Sequence, residues 1–295
     1  MKRTAFLVAI LFAGLFSATS LAQDKFKGGW MGEFEKDRFR ISLKGIPGTV
    51  DSIFDWSFGF DLEDVKELSA ARANSAAAPV HFEIRRDAGT IVFDGTMKDG
   101  RGIGDYQFTA NPDYLASLRA MGYDNLLPEQ LVRLTIRDVN RGFISEMRAS
   151  GYDTATVDQL IRMRNHRITS GFITEMKALG LDKLSVEDLI RAHNHNITAA
   201  FVQEMKAAGL EHLSVDRLVR LRNHKIDATY IGSLGEVGYK SLTAEQLIRL
   251  RNHDVNAAFI KKVNDAGYKD LSAEDLIYIR SHGLDAYSTR RARVR

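Results

Sequence analysis

The sequence predicts an α+β protein: a small antiparallel β domain followed by an α-solenoid of six 29-residue helix-turn-helix repeats. Two observations lead there. Before about Ala110, apolar and polar residues alternate with the period of a half-buried strand. From Asn111 to Leu284, six units align without a gap, each carrying the same apolar, glycine and Leu-Ile/Val positions. The boundaries follow as a leader over residues 1–22, a β domain over 23–110, a repeat array over 111–284 and a basic tail over 285–295.

The leader reads MKRTAFLVAILFAGLFSATSLA. Lys2 and Arg3 form a basic start, Ala5 to Phe16 an apolar stretch, and Ser20-Leu21-Ala22 a small-x-small cleavage site. The competing reading is an uncleaved anchor, because residues 4–22 approach the ~20 needed to span a bilayer. Gly14, Ser17 and Ser20 dilute the apolar run and favour cleavage. The expectation is export to the periplasm or the outside of a bacterium, with no transmembrane segment left after leader removal.

In the β region, RFRISLKG alternates Phe39, Ile41 and Leu43 with polar residues, and VHFEIRRD alternates Val80, Phe82 and Ile84. GTIVFDGTM and IGDYQFTA follow, separated by Asp87-Ala88-Gly89 and Lys98-Asp99-Gly100, both turn chemistries. GWMGEFE and IFDWSFGF read as further strands, and LEDVKELSAARA as a helix. The result is an antiparallel meander of about six strands, either a small sandwich or an open barrel. Its second half, with the first repeat helix, suits the capping of an exposed solenoid end.

The repeats are Asn111–Val139, Asn140–Ile168, Thr169–Ile197, Thr198–Ile226, Asp227–Val255 and Asn256–Leu284. Each first helix opens on Asn, Thr or Asp, which cap free N–H groups. Apolar residues then share one face, as in Phe172, Ile173 and Met176, or Phe201, Val202 and Met205. A glycine stops the helix at Gly122, Gly151, Gly180, Gly209, Gly238 and Gly267, where the left-handed backbone carries no Cβ penalty. From the second repeat on, each second helix opens on Ser or Thr, carries Leu-Ile or Leu-Val, and ends in RNH or a variant. Helices this short are marginal alone. They persist only if neighbouring repeats bury their apolar ladders.

The stretch FITEMKALGLDKLSVEDLIRAHNHNIT resembles repeats of uncharacterised bacterial secreted proteins and of the tails of some BlaR-type (antibiotic-sensor) membrane metallopeptidases. The likeness runs from about Val80 to Leu284 and includes FEIRRDAGTIVFDGTMKDGRG. The peptidase's HExxH motif and membrane helices are absent here, so peptidase activity does not carry over. The resemblance implies an envelope-located sensing or binding accessory.

Other chemistry is thinly represented. The chain has no cysteine, which excludes disulfides and thiolate metal sites, and a net charge of +3, too small to indicate nucleic acid. GRGIG lies in a hairpin rather than before a helix, so it lacks the context of a phosphate loop. GSLG is not a nucleophile elbow. His166, His195, His224, His253 and His282 recur in phase, but no carboxylate recurs with them to complete a metal site. They read as helix stops, with Asn as the residue tolerant of the left-handed region. Arg133, Arg162, Arg191, Arg220 and Arg249 each follow an acid by four residues, the favourable intrahelical pairing. Arg164, Arg222, Arg251 and Arg280 lack that regular partner and form the candidate interaction surface. Aromatic residues do not interleave with them, which speaks against single-stranded nucleic acid.

The reading is therefore a non-enzymatic, exported interaction or scaffold protein that binds an envelope protein and uses no cofactor, no metal and no catalytic residues. Alternatives are a sensor with a small ligand in the β domain, and a hydrolase using His81 or the histidine ladder.

Overall fold

A computed structural model describes residues 25–36, 38–48, 56–61, 68 and 76–294. The expected leader and all but Leu68 of the expected helix over residues 62–73 lie outside them. Among the described residues the fold is α+β: a curled six-stranded antiparallel sheet followed by thirteen α-helices, in two compact units divided between Arg141 and Gly142.

The first unit is built on β1 (Lys25–Glu35), β2 (Arg38–Lys44), β3 (Trp56–Asp61), β4 (Ala78–Arg86), β5 (Gly89–Lys98) and β6 (Arg101–Ala110), in the order β3-β2-β1-β6-β5-β4. This corrects the simple meander. Two three-stranded halves each run outward by hairpins, and the first strand pairs with the last at the centre, Trp30 opposite Gly104. Alternation places Trp30, Phe39, Phe82, Phe93 and Tyr106 on the inner face, all essentially inaccessible. The rings of Trp30 on β1 and Phe82 on β4 lie 5.5 Å apart, edge to face. Three inter-strand steps in a flat sheet would separate them by ~14 Å. The sheet therefore curls around its own aromatic core, a single curled sheet that favours the open barrel over the sandwich. The β5–β6 turn uses Asp99 and Gly100, both at positive φ (49° and 72°), so the GRGIG stretch is a hairpin.

Helices α1 (Pro112–Ala120) and α2 (Pro128–Ile136) belong to this unit, and α2 packs on β4 and β5. The first compact unit runs through Arg141 and so takes in both helices of the first repeat. The cause is burial: Tyr114, Leu131, Val132 and Leu134 of the first repeat are all inaccessible within the unit that holds the sheet. Tyr114 donates its hydroxyl to the carbonyl of Val139 at 2.6 Å. At the end of this unit the Arg141 guanidinium grips Asp87 of the β4–β5 turn at 2.7 Å, and that hydrogen bond holds the Asp87 carboxyl below its usual range.

The second unit contains α3 (Arg141–Met147), from Gly142 on, then α4 (Val157–Asn165), α5 (Ser170–Ala178), α6 (Val186–Asn194), α7 (Ala199–Ala207) and α8 (Val215–Asn223). These are followed by α9 (Ala228–Glu236), α10 (Ala244–Asn252), α11 (Ala257–Asp265), α12 (Ala273–His282) and α13 (Leu284–Val294). The capping chemistry matches the sequence. Thr156, Ser185, Ser214, Thr243 and Ser272 accept from the backbone N–H three residues on, and Thr169, Thr198, Asp227 and Asn256 do the same for the alternate helices. The stop glycines stand at φ 79° to 104°. Second helices of successive repeats are neighbours: α4 with α6, α6 with α8, α8 with α10 and α10 with α12. One apolar cluster runs unbroken from Met176 to Tyr287. The segment expected as the basic tail is helical, and α13 packs on α12 with Tyr287 buried.

The RNH ends differ in detail from expectation. Asn is the last helical residue, His is the C-cap, and the left-handed residue is the one after it: Arg167, Asn196, Lys225 and Asp254, at φ 52° to 54°. The following aliphatic residue closes the motif, Ile168 N–H donating to Met163 O at 2.9 Å. A left-handed non-glycine residue costs ~1–2 kcal/mol, and Asp254 also places a negative charge at the negative end of α10. Asp254→Gly should therefore stabilise by about 1 kcal/mol in chemical denaturation, and a loss of that size would show that the Asp254 side chain holds the turn.

Candidate functional site

The two arginine ladders separate by what they touch. Three of the acids expected to pair within their own helices, Glu187, Asp216 and Glu245, pair with arginines of the preceding repeat: Arg162 with Glu187, Arg191 with Asp216 at 2.7 Å and Arg220 with Glu245 at 2.9 Å, and Arg249 pairs with Glu274 in the same way. The neighbouring helix lies within reach of a long side chain, and its first-turn acid accepts there. Each partner keeps 43% to 59% of its side chain exposed, so these pairs set register more than stability. Their electrostatics are consistent: the Arg220 hydrogen bond lowers the Glu245 carboxyl, and Glu245 raises the Arg220 guanidinium.

The second ladder packs on rings. Arg164 lies over Phe143 at 5.2 Å, Arg222 over Phe201 at 4.8 Å, Arg251 over Tyr230 at 4.7 Å and Arg280 over Phe259 at 5.1 Å. In the third repeat, where the position in phase lacks arginine, His193 meets Phe172 edge-on at 5.4 Å. Aromatics therefore do interleave with this ladder, in space rather than along the chain. In every case the ring stands on the first helix and the cation on the second helix of the same repeat, 21 residues later. That constant offset was readable in the sequence as a second signal beside the 29-residue period. Tyr230 adds a hydroxyl that donates to Val255 O at 2.9 Å, and burial pushes its phenol up to about 12.

Arg164, Arg222 and Arg251 are half-buried and Arg280 is exposed. The arrangement is a file of ring-backed cations at 29- or 58-residue intervals along one chain of helices.

The histidines serve a different end. Nδ1 of His166 donates to Oδ1 of Asn194, and Nδ1 of His195 to Oδ1 of Asn223, both at 3.0 Å. Each bond crosses from one repeat to the next, so these two side chains link repeats, where the sequence reading had them closing their own helices. His282 keeps to the expected role and donates to Tyr278 O at 3.1 Å. Among the described residues no three His, Asp or Glu side chains form a metal-binding group. In the sheet, His81 meets Asp94 at 2.7 Å on the outer face, with both side chains more than half exposed.

Two junctions carry a lysine clamp that the next one lacks. Lys177 donates to Ser150 O, and Lys206 to Leu179 O, each at 2.7 Å, clamping the end of the preceding first helix. The next position in phase is Gly235, which has no side chain. Ile144, Ile173, Val202 and Ile260 are buried, whereas Ile231 of their ladder is only half-buried, beside a cavity of about 400 Å³. Gly232 and Gly235 lie inside α9, so the GSLG stretch is helix.

Comparison with protein-family models, with curated proteins and with solved structures finds no match to this chain.

Proposed function

We propose that the chain is a non-enzymatic, exported scaffold of the bacterial envelope, whose six 29-residue repeats form an α-solenoid that binds an acidic segment of another protein. The observation that carries this reading is the second arginine ladder. Four guanidinium groups are held on aromatic rings at equivalent positions, a recurrence that a merely solvated face does not require. The cross-repeat pairs and the unbroken apolar cluster support a rigid stack in which such groups keep their spacing. The leader and the resemblance to secreted repeat proteins support the envelope location. Among the described residues no helix is long and apolar enough to cross a membrane.

The test reverses charge at Arg222 and Arg251 together. Each substitution removes a stacked cation worth about 0.5–1 kcal/mol, so the double variant should stay folded. Capture of envelope proteins by the immobilised mature protein should fall at least tenfold and become salt-insensitive. Arg→Lys at both sites keeps charge but loses the planar fork, and should retain only part of the binding. A Glu variant that captures the same proteins as strongly as the parent would contradict the ladder as the binding surface.

A further inference from the structure

The outer face of the sheet carries a feature that the reading above does not use. Strand alternation makes this face polar almost throughout, with His81, Glu83, Arg85, Asp94, Asp105, Gln107 and Lys44 among its residues. Met31 and Ile103 depart from it. They are 43% and 60% exposed, two of the three large hydrophobic residues exposed among those described. They are also direct register partners on β1 and β6, the two central strands. An exposed Ile at the centre of a sheet is not protecting an edge. It gains nothing from folding that a Thr would not supply, and it leaves apolar surface in water.

The pair forms the floor of a groove of about 540 Å³ on this face. That volume lies within the range of small-molecule sites. The groove crosses β5, β6, β1 and β2, because its floor continues through the register row Thr96–Ile103–Met31–Ser42. Four strands give it a length of ~14 Å. Its wall is the next row, Lys98–Arg101–Glu33–Arg40. Arg40 bonds Glu35 at 2.6 Å, and Arg101 stands 3.6 Å from Glu33. With Glu35 counted beside Arg40, the groove sets three cations against two carboxylates, a net positive rim beside a narrow apolar strip. The core aromatics occupy the opposite face, so the groove does not open into the interior.

We propose that this groove binds the monomeric anion of a long-chain carboxylic acid, its chain lying along Ile103 and Met31 and its carboxylate on Lys98 and Arg101. The elongated shape fits an unbranched chain, and the one-sided charge selects an anionic head over a neutral or cationic one. The site is independent of the helical repeats and of the arginine ladder, so either reading can fail alone.

The probe is dodecanoate, kept below its micellar concentration and titrated calorimetrically into the full-length mature protein. Binding should be tighter than ~1 mM. Octanoate, decanoate and dodecanoate should show a gain of about twofold to fourfold per added methylene, the increment for a chain removed from water. Dodecyltrimethylammonium, with the same chain and the opposite charge, should bind at least tenfold more weakly. Met31→Ser with Ile103→Ser should abolish binding without lowering the melting temperature, since both side chains are exposed. Lys98→Glu with Arg101→Glu should remove the preference for the anion. The proposal is overturned by undetectable dodecanoate binding, by equal binding of the two amphiphiles, or by a Ser variant that binds like the parent. It is equally overturned if the protein sediments with anionic phospholipid vesicles but ignores the monomer.

Discussion

Truncating Phe201 to Ala is expected to destabilise the helical unit by about 3–5 kcal/mol, the cost of removing a buried aromatic side chain from a packed core. Phe201 is 2% exposed and sits mid-array within the apolar cluster that spans Met176 to Tyr287. It also carries the Arg222 guanidinium at 4.8 Å, so its loss removes a packing anchor and frees a cation in one step. Equilibrium denaturation followed by far-ultraviolet circular dichroism measures the effect. Phe259→Ala, at an equivalent but half-buried position, should cost less. A Phe201→Ala protein that melts with the parent would mean that the rings are ornaments on independent hairpins.

Trp30→Ala should cost the sheet a comparable ~3–5 kcal/mol. Trp30 is fully buried, meets Phe39, Phe82 and Phe93 edge-on, and donates its indole N–H to Asp94 O at 3.1 Å. The surrounding backbone is shaped to admit it. A Cβ on Gly102 would stand 2.6 Å from the indole ring, and one on Gly95 would stand 2.8 Å from it. Cavity formation cannot be relieved by collapse of strands that are already paired on both sides, because β1 lies between β2 and β6. Calorimetry should show loss or early melting of the transition that belongs to the sheet. An unchanged thermogram would place the sheet's stability elsewhere than in this aromatic cluster.

Much of this architecture was legible because it is periodic. A residue type that returns every 29 positions reports the same environment repeatedly, so caps, glycine stops and the Leu-Ile/Val face could be read from one repeat and checked in the next. What failed was partner choice. An acid four residues before an arginine looks like an intrahelical pair, yet Glu187 pairs with Arg162, because sequence spacing says nothing of the neighbouring helix. His166 was legible as a helix end but not as a link to Asn194. In the sheet, alternation assigned faces correctly. The central pairing of β1 with β6 was not available, since no local signal joins strands 70 residues apart. The groove at Met31 and Ile103 was hidden for the same reason: each looks like an isolated apolar residue until register brings them together.

The central claim is that the repeats act as one stack whose stability lies largely in the contacts between neighbours. Hydrogen exchange of the Phe201→Ala protein under native conditions tests it most directly. The stack predicts lost amide protection not only in α7 and α8 but also in α5, α6, α9 and α10, the helices of the repeats on either side. Protection lost only within Thr198–Ile226, with parental protection on both flanks, would contradict it.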